Sequence, residues 1–178
     1  AWCPARQPGS SREATAKTLS AAGPCSCARR HPANGAASVR SHISHPVAII
    51  TVNDGKKLNG MTAAWVTQIS ISPPILCVSI SPKRHTWNML ENVEYFGVCM
   101  LGKDQEEESN LFGSKSGKKM DKFQAMGIKP FMASHDVPLL PGSVAGFICR
   151  KTHQVEQGDH WALFGEVVEA WKGPDAVP

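Results

Sequence analysis

Short apolar segments that alternate with turn signals are the feature that most constrains the fold. Six segments have the length and the β-branched or aromatic content of strands. Asn53-Asp54-Gly55 separates the first two and Gln157-Gly158-Asp159 separates the last two, and both are hairpin signals. The predicted strands are residues 47–52, 57–64, 75–80, 95–101, 143–154 and 161–171.

Helices are predicted to be few and short. Residues 86–93 have helix-like spacing of Trp87, Leu90 and Val93, and Thr86 is the predicted N-cap. Residues 104–112 begin with acids, which favour a helix N-terminus. Residues 113–117 are expected to form a flexible loop and residues 138–141 a turn. Recurring strands with so little helix favour a mainly β barrel over a doubly wound sheet.

The first 45 residues differ in composition from the rest of the chain. They are rich in Ala, Ser, Arg, Gly and Pro, with almost no large apolar residues, so they cannot bury enough surface to offset their ordering entropy. Residues 1–45 are therefore expected to be a disordered basic extension or a non-native segment. Residues 46–178 are expected to form one domain.

Net charge and the length of the apolar runs argue against two classes of function. The net charge of +4 is concentrated in residues 1–45, so the remainder is near neutral and gives no reason to expect nucleic acid. No apolar run approaches the ~20 residues of a membrane span.

The six cysteines do not suggest a disulfide scaffold in a chain of this size. Cys77, Cys99 and Cys149 lie in apolar runs and are expected to be small buried thiols. Cys25 and Cys27 are too close together for a usual zinc pair, so no metal site is predicted. This cysteine usage suits the cytoplasm.

Two neighbouring stretches predict a binding site. Lys83-Arg84-His85-Thr86 follows the apolar segment 75–80 and precedes a predicted helix, where phosphate is readily held. Small residues at 60–64 would let the backbone approach a flat ligand closely. From these residues alone we expect a phosphate near a helix start.

The same stretches resemble the flavin reductase-like, FMN-binding split-barrel family, which includes flavoredoxins and the reductase components of two-component monooxygenases. The resemblance covers roughly residues 46–170, and it is specific because several motifs occur in the expected order. The matching motifs are Asn59-Gly60-Met61-Thr62-Ala63-Ala64-Trp65, Val66-Thr67-Gln68 with Ser70, Pro73-Pro74, Val78-Ser79-Ile80, Arg84-x-Thr86, Ser116-Gly117 with Asp121-Lys122-Phe123, and Gly158-Asp159-His160.

The resemblance implies a Greek-key-like antiparallel split barrel, FMN as cofactor and a homodimer. Family members usually continue further, which leaves open a truncation after Pro178. Cofactor-binding residues are then predicted at Asn59, Thr62, Ala63, Ala64, Trp65, Ser79, Ile80, Ser81, Arg84, Thr86, Ser116 and Lys122.

The expected roles of these residues follow the chemistry of their side chains. Asn59 and the backbone of 62–65 would serve the ring edge, whereas Arg84 and Thr86 would hold the phosphate. Trp65 is expected either beside the ring or in the core, and Lys122 either near the flavin or in solvent.

His160 is the predicted catalytic residue. The resemblance associates its histidine with nicotinamide binding or hydride transfer, and the alternative is a solvent-facing residue at a hairpin edge.

Three functions are compatible with the sequence. The first is an NAD(P)H-dependent flavin reductase that uses NADH or NADPH and supplies an oxygenase or another acceptor protein. The second is a flavoredoxin-like carrier that a protein partner reduces, and the third is a non-catalytic split barrel. Gly158-Asp159-His160 favours the first. The sequence has no GxGxxG after a strand, no GxSxG and no HExxH.

Overall fold

The computed structural model describes residues 43–173. Almost all of the predicted extension, residues 1–45, and the chain end at residues 174–178 lie outside this range. Among the described residues, no helix has the length and apolar content needed to cross a membrane. The strands are β1 (Ala48–Asn53), β2 (Leu58–Ala63), β3 (Val66–Ile71), β4 (Pro74–Ile80), β5 (Tyr95–Met100), β6 (Phe131–Met132), β7 (Pro138–Leu139), β8 (Ala145–Gln157) and β9 (His160–Lys172).

Within residues 43–173, three short helices interrupt the strands: α1 (His85–Leu90), α2 (Glu106–Ser114) and α3 (Lys122–Ala125). A single 3₁₀ turn, Ser134–Asp136, joins the small two-stranded pair of β6 and β7. The other seven strands form one antiparallel sheet in the order β2-β1-β5-β8-β9-β4-β3.

The connection between β2 and β3 closes this sheet into a barrel. These strands lie at opposite edges of the sheet, yet only Ala64 and Trp65 separate them along the chain. Two residues span only ~7 Å, so the sheet must curl into a barrel, in which the edge strands β2 and β3 approach each other at this connection but form no hydrogen-bonded ladder. The predicted mainly β, antiparallel barrel with few short helices is therefore confirmed.

Strand β1 is buried on both faces, which places it between two apolar clusters. Ile50 belongs to a cluster with Val78, Val98 and Leu163, and Ile49 belongs to a second with Phe112. Successive side chains of a strand point to opposite faces, so the two clusters lie on opposite sides of β1. Helices α2 and α3, which supply Phe112 and Phe123, thus cover one face of β1.

Both predicted hairpin turns are confirmed. Gly55 has φ = 79°, and the carboxylate of Asp54 accepts N–H hydrogen bonds from Lys56 and Lys57 at 2.9 and 2.8 Å. At the second turn Gly158 has φ = 64°, and Gln157 pairs with His160 across a two-residue loop. The left-handed conformation explains why glycine occupies both positions.

Three local predictions were wrong or incomplete. Residues 138–141 do not form one turn, because Pro138 and Leu139 form β7 and the turn comes only at Pro141-Gly142. The predicted loop at 113–117 begins inside α2, which ends at Ser114. Strand β3 was not predicted, because Thr67, Gln68 and Ser70 interrupt its apolar pattern.

The described cysteines are free thiols. Cys99 and Cys149 are buried, as predicted, whereas Cys77 is only half-buried. Burial raises the pKa of Cys99 to about 11 and that of Cys149 to about 12, so both thiols stay protonated at neutral pH.

Candidate functional site

A narrow cavity of about 130 Å³ lies where β2, α1 and the end of α2 meet. The segment before α1 supplies Lys83 and Arg84, and the segment after α2 supplies Lys115 and Ser116. Its lining residues are Met61, Thr62, Lys83, Arg84, His85, Thr86, Phe112, Gly113, Ser114, Lys115, Ser116 and Lys122.

A wider cavity of about 420 Å³ continues from the narrow one towards the start of β9. Met61, Thr62, Lys83 and Arg84 line both cavities, so together they form one groove. The remaining lining residues of the wide end are Ala63, Ala64, Trp65, Ser79, Ser81 and His160.

The lining of the groove is cationic. Lys83, Arg84, Lys115 and Lys122 line the narrow end, and none of the described residues that line either cavity is Asp or Glu. Four cations without a neutralising carboxylate produce a positive potential in a confined space, which favours an anion.

Lys122 is the buried member of this cationic set. Its residue is only 3% exposed, and its ammonium donates to the backbone carbonyls of Gly60 at 2.8 Å and Phe112 at 2.9 Å. Burial, with the nearby charge of Arg84, lowers the pKa of Lys122 to about 8. Lys122 therefore ties α3 to β2 and α2 at the wall of the narrow cavity.

Hydrogen bonds and close packing hold α2 against β2. The Thr62 hydroxyl donates to the carbonyl of Ser109 at 2.7 Å, and the Lys57 ammonium donates to that of Gly117 at 2.6 Å. A Cβ at Gly60 would lie 2.9 Å from the Phe112 ring. Only glycine allows this approach, so Gly60 sets the distance between the two walls.

Asn59 lies inside the protein and contacts α1. It is 2% exposed, and its amide nitrogen donates to the Thr86 hydroxyl at 3.1 Å. Arg84 precedes the helix and Thr86 lies within its first turn, so the predicted N-cap role of Thr86 was wrong. At the other end, the Lys151 ammonium donates to the carbonyls of Leu90 and Glu91 at 2.8 and 3.0 Å.

An aromatic pair lies at the wide end. The rings of Trp65 and His160 have centroids 4.8 Å apart and a tilt of 50°. Nδ1 of His160 lies 2.8 Å from the carboxylate of Asp159. The hydrogen bond and charge of His160 lower the pKa of Asp159. A hydrogen bond at Nδ1 leaves Nε2 available to a ligand.

Comparison with known proteins identifies the family of this chain. Residues 40–178 match the model of the flavin reductase-like domain. The chain belongs to the flavin reductase-like family.

Relatives in this family carry names that refer to flavin and nicotinamide. The chain is 30% identical to the NADH:riboflavin 5'-phosphate oxidoreductase of Streptomyces pristinaespiralis, covering 83% of this chain and 84% of that protein. The structure of the Streptomyces globisporus NADH:FAD oxidoreductase SgcE6 in complex with NAD and FAD fragments aligns with a TM-score of 0.74 at 26% identity. This alignment covers 84% of this chain and 90% of that chain.

The family domain also occurs in longer proteins. The chain spans 56% of the high molecular weight rubredoxin of Moorella thermoacetica, at 29% identity over 72% of this chain.

Eleven of the thirteen predicted site residues line the groove of this flavin reductase-like chain. The two exceptions are Asn59, which bonds to Thr86 inside the protein, and Ile80, whose side chain is fully buried in the core. The residues in the groove are Thr62, Ala63, Ala64, Trp65, Ser79, Ser81, Arg84, Thr86, Ser116, Lys122 and His160.

Two alternatives left open by the sequence are decided by burial. Trp65 is 43% exposed and so does not belong to the core. Lys122 is buried and so is not a solvated loop lysine.

Sequence reasoning missed several lining residues, including Lys83, His85 and Lys115. Lys83 and His85 lie inside the basic cluster that predicted the phosphate site, so the cluster as a whole was the signal. Lys115 comes from a separate segment, and no local pattern indicates that it approaches Arg84.

Proposed function

We propose that this chain binds FMN in the groove and acts as an NAD(P)H-dependent flavin reductase. The observation that carries the proposal is the single groove with two unlike ends. Its narrow end presents four cations and no carboxylate among the described lining residues, as a phosphate dianion requires. Its wide end is walled by Ala63, Ala64 and Trp65, which suits a flat aromatic ring.

Each end would use its own residues to hold the cofactor. Arg84, Lys83 and Lys122 would neutralise the phosphate, with the Ser116 hydroxyl as a further donor. Ser79 and Ser81 offer hydroxyls, and the backbone of 62–65 offers peptide groups, to the polar edge of the ring. Bound FMN would supply the hydride-accepting chemistry, and the protein contributes placement and electrostatics.

His160 would position the nicotinamide. It lies at the wide end, three-quarters buried, with Nδ1 held by Asp159. A fixed ring with a free Nε2 can donate to or accept from a carboxamide without being consumed. Since the hydride would pass between two cofactors, the part of His160 would be placement and no covalent bond to the protein would be needed.

The reducing equivalents would pass from the flavin to an oxygenase or another acceptor protein. The 43% exposed Trp65 shows that the wide end opens to the surface, so reduced flavin can leave or an acceptor can approach there. A cytoplasmic setting, in which thiols stay reduced, fits the three free described cysteines.

A homodimer is part of this proposal. Strand β3 is an edge of the hydrogen-bonded sheet, and its Ile69 and Ile71 are 49% and 87% exposed. An exposed apolar edge strand invites pairing with another chain. Trp65, which immediately precedes β3, lines the groove, so a second copy on this edge would border the wide end.

The proposed function is tested by adding NADH or NADPH to the FMN-loaded protein without oxygen and without any partner protein. We expect the visible absorption of the flavin to bleach, with one nicotinamide oxidised per flavin. Free FMN at the same concentration is the control for non-enzymatic reduction. Bound FMN that bleaches only with a reduced protein donor would contradict the reductase and favour a flavoredoxin-like carrier. A protein that does not bind FMN would contradict both.

A further inference from the structure

Another cavity of the described chain lies apart from the groove. It is found where the segment before β1, the end of β5, the start of α2 and the segment before β8 meet. Its volume is about 440 Å³, and small-molecule sites have volumes of roughly 300–1,000 Å³. None of the described residues that line it also lines the groove. The cavity is therefore large enough for a ligand of its own.

The walls of this cavity are apolar and are fixed by the backbone. Pro46, Val47, Met100, Leu101 and Val144 supply the apolar surface. The N–H of Leu101 donates to the carbonyl of Val47 at 3.0 Å, and that of Val144 donates to the carbonyl of Met100 at 2.9 Å. Val47 is 41% exposed, so the cavity opens to the surface. A preformed apolar cavity that is open to water favours an apolar ligand.

Gln105 is the buried polar residue of the lining. It is 7% exposed. Its amide nitrogen donates to the carbonyl of Pro141 at 3.2 Å, and its amide oxygen accepts the N–H of Gly102 at 3.3 Å. Because both ends of the amide are bonded within the protein, Gln105 does not require a polar ligand.

The charged residues at this cavity are mostly acidic. Lys103 and Glu106 line it, and their chain neighbours Asp104 and Glu107 are exposed. Three carboxylates against one ammonium repel an anion but not an uncharged or cationic molecule. The groove has the opposite character, since cations and no carboxylate occur among its described lining residues.

We propose that this cavity is a ligand site separate from the groove, which takes a small apolar molecule without negative charge. The apolar walls would contact its hydrocarbon part. The Ser109 hydroxyl and the His45 ring, which also line the cavity, can bond to an O–H or N–H group of the ligand. This site does not depend on the proposed function, because it shares no lining residue with the groove.

The first test compares two ligands that share one ring system and differ in charge. 2-Naphthol is uncharged at neutral pH and naphthalene-2-sulfonate is an anion. Each is titrated by calorimetry into the full chain with saturating FMN, which would occupy the groove. We expect 2-naphthol to bind at least about tenfold more tightly than the sulfonate, because the carboxylates repel the anion.

A second test locates the ligand without any change to the lining. Met100 lies in the wall of this cavity, whereas Met61 lies in the wall of the groove. In protein with ¹³C-labelled methionine methyl groups, 2-naphthol should shift the NMR signal of Met100 and leave that of Met61 in place. A shift of Met61 without a shift of Met100 would place the ligand in the groove and overturn the proposal.

A matched pair of substitutions tests the wall itself. Val47 and Val168 are 41% and 44% exposed, but only Val47 lines the cavity. In Val47→Lys the affinity for 2-naphthol should fall about tenfold, because a charge replaces apolar surface at the opening. Val168→Lys should bind 2-naphthol as the wild-type protein does. Equal affinities of the two variants would contradict the proposed wall.

Three further outcomes would overturn the proposal. The full chain would show no binding of 2-naphthol, or it would bind the sulfonate as tightly as 2-naphthol. Alternatively, 2-naphthol binding would weaken as the protein concentration rises, which would show that a second copy covers the cavity. Each outcome would leave flavin reduction as proposed, since the flavin would occupy the groove.

Discussion

At the scale of single residues, the role proposed for His160 can be tested separately from cofactor binding. It lies at the wide end of the groove, whereas the cations that would hold the phosphate lie at the narrow end. In His160→Ala the oxidation of NADH should slow about 100-fold, the cost of a misplaced reactant, with a smaller change in FMN affinity. Steady-state kinetics and flavin titration on the same preparation measure the two effects.

The control for this prediction is His153→Ala, which removes an exposed histidine from β8, outside the lining of the groove. It should leave NADH oxidation unchanged. Equal losses of turnover and FMN affinity in His160→Ala would instead show that His160 supports the site only structurally.

At the scale of elements, the six-residue helix α1 depends on bonds from outside itself. It has no side-chain N-cap, and helices this short are unstable alone. Asn59 from β2 holds its first turn and Lys151 from β8 holds its last carbonyls. Since Arg84 immediately precedes α1, these bonds also fix one side of the narrow cavity.

Asn59→Ala should therefore lower the free energy of unfolding by about 1–3 kcal/mol, because it removes a buried hydrogen bond and leaves the Thr86 hydroxyl without its donor. Urea unfolding measures the change. Asn88→Ala is the control, since Asn88 is exposed on α1 and its side chain can be lost at little cost. Equal stability of Asn59→Ala and Asn88→Ala would show that the bond to Thr86 contributes nothing.

At the scale of the whole molecule, the barrel presents an apolar edge that a second copy would cover. Ile71→Lys places a charge on the most exposed apolar residue of this edge strand, which is unfavourable once buried. We expect the dimer dissociation constant to rise by about tenfold or more, as measured by sedimentation or light scattering across a concentration series. Ile43→Lys, which changes an exposed residue before β1, should not alter it. A wild-type protein that is monomeric at every concentration would contradict the proposed dimer.

The sequence by itself determined the secondary structure wherever local chemistry dominates. β-branched and aromatic residues predicted the strands β1, β4 and β5. Gly55 predicted the hairpin of β1 and β2, and Gly158 that of β8 and β9, because a left-handed turn needs glycine. The basic cluster at 83–86 also predicted one wall of the groove. Each of these signals lies within a few residues of the structure it predicts.

Only the tertiary structure decided what depends on partners far along the chain. Asn59 has a side chain typical of a ligand contact, yet its amide nitrogen donates a hydrogen bond to Thr86, 27 residues away. The sequence was equally compatible with a solvated Lys122. Instead, its ammonium donates hydrogen bonds inside the protein to the carbonyls of Gly60 and Phe112, which are 62 and 10 residues away. Burial and hydrogen bonding are non-local properties, so no local pattern of residue types could have fixed them.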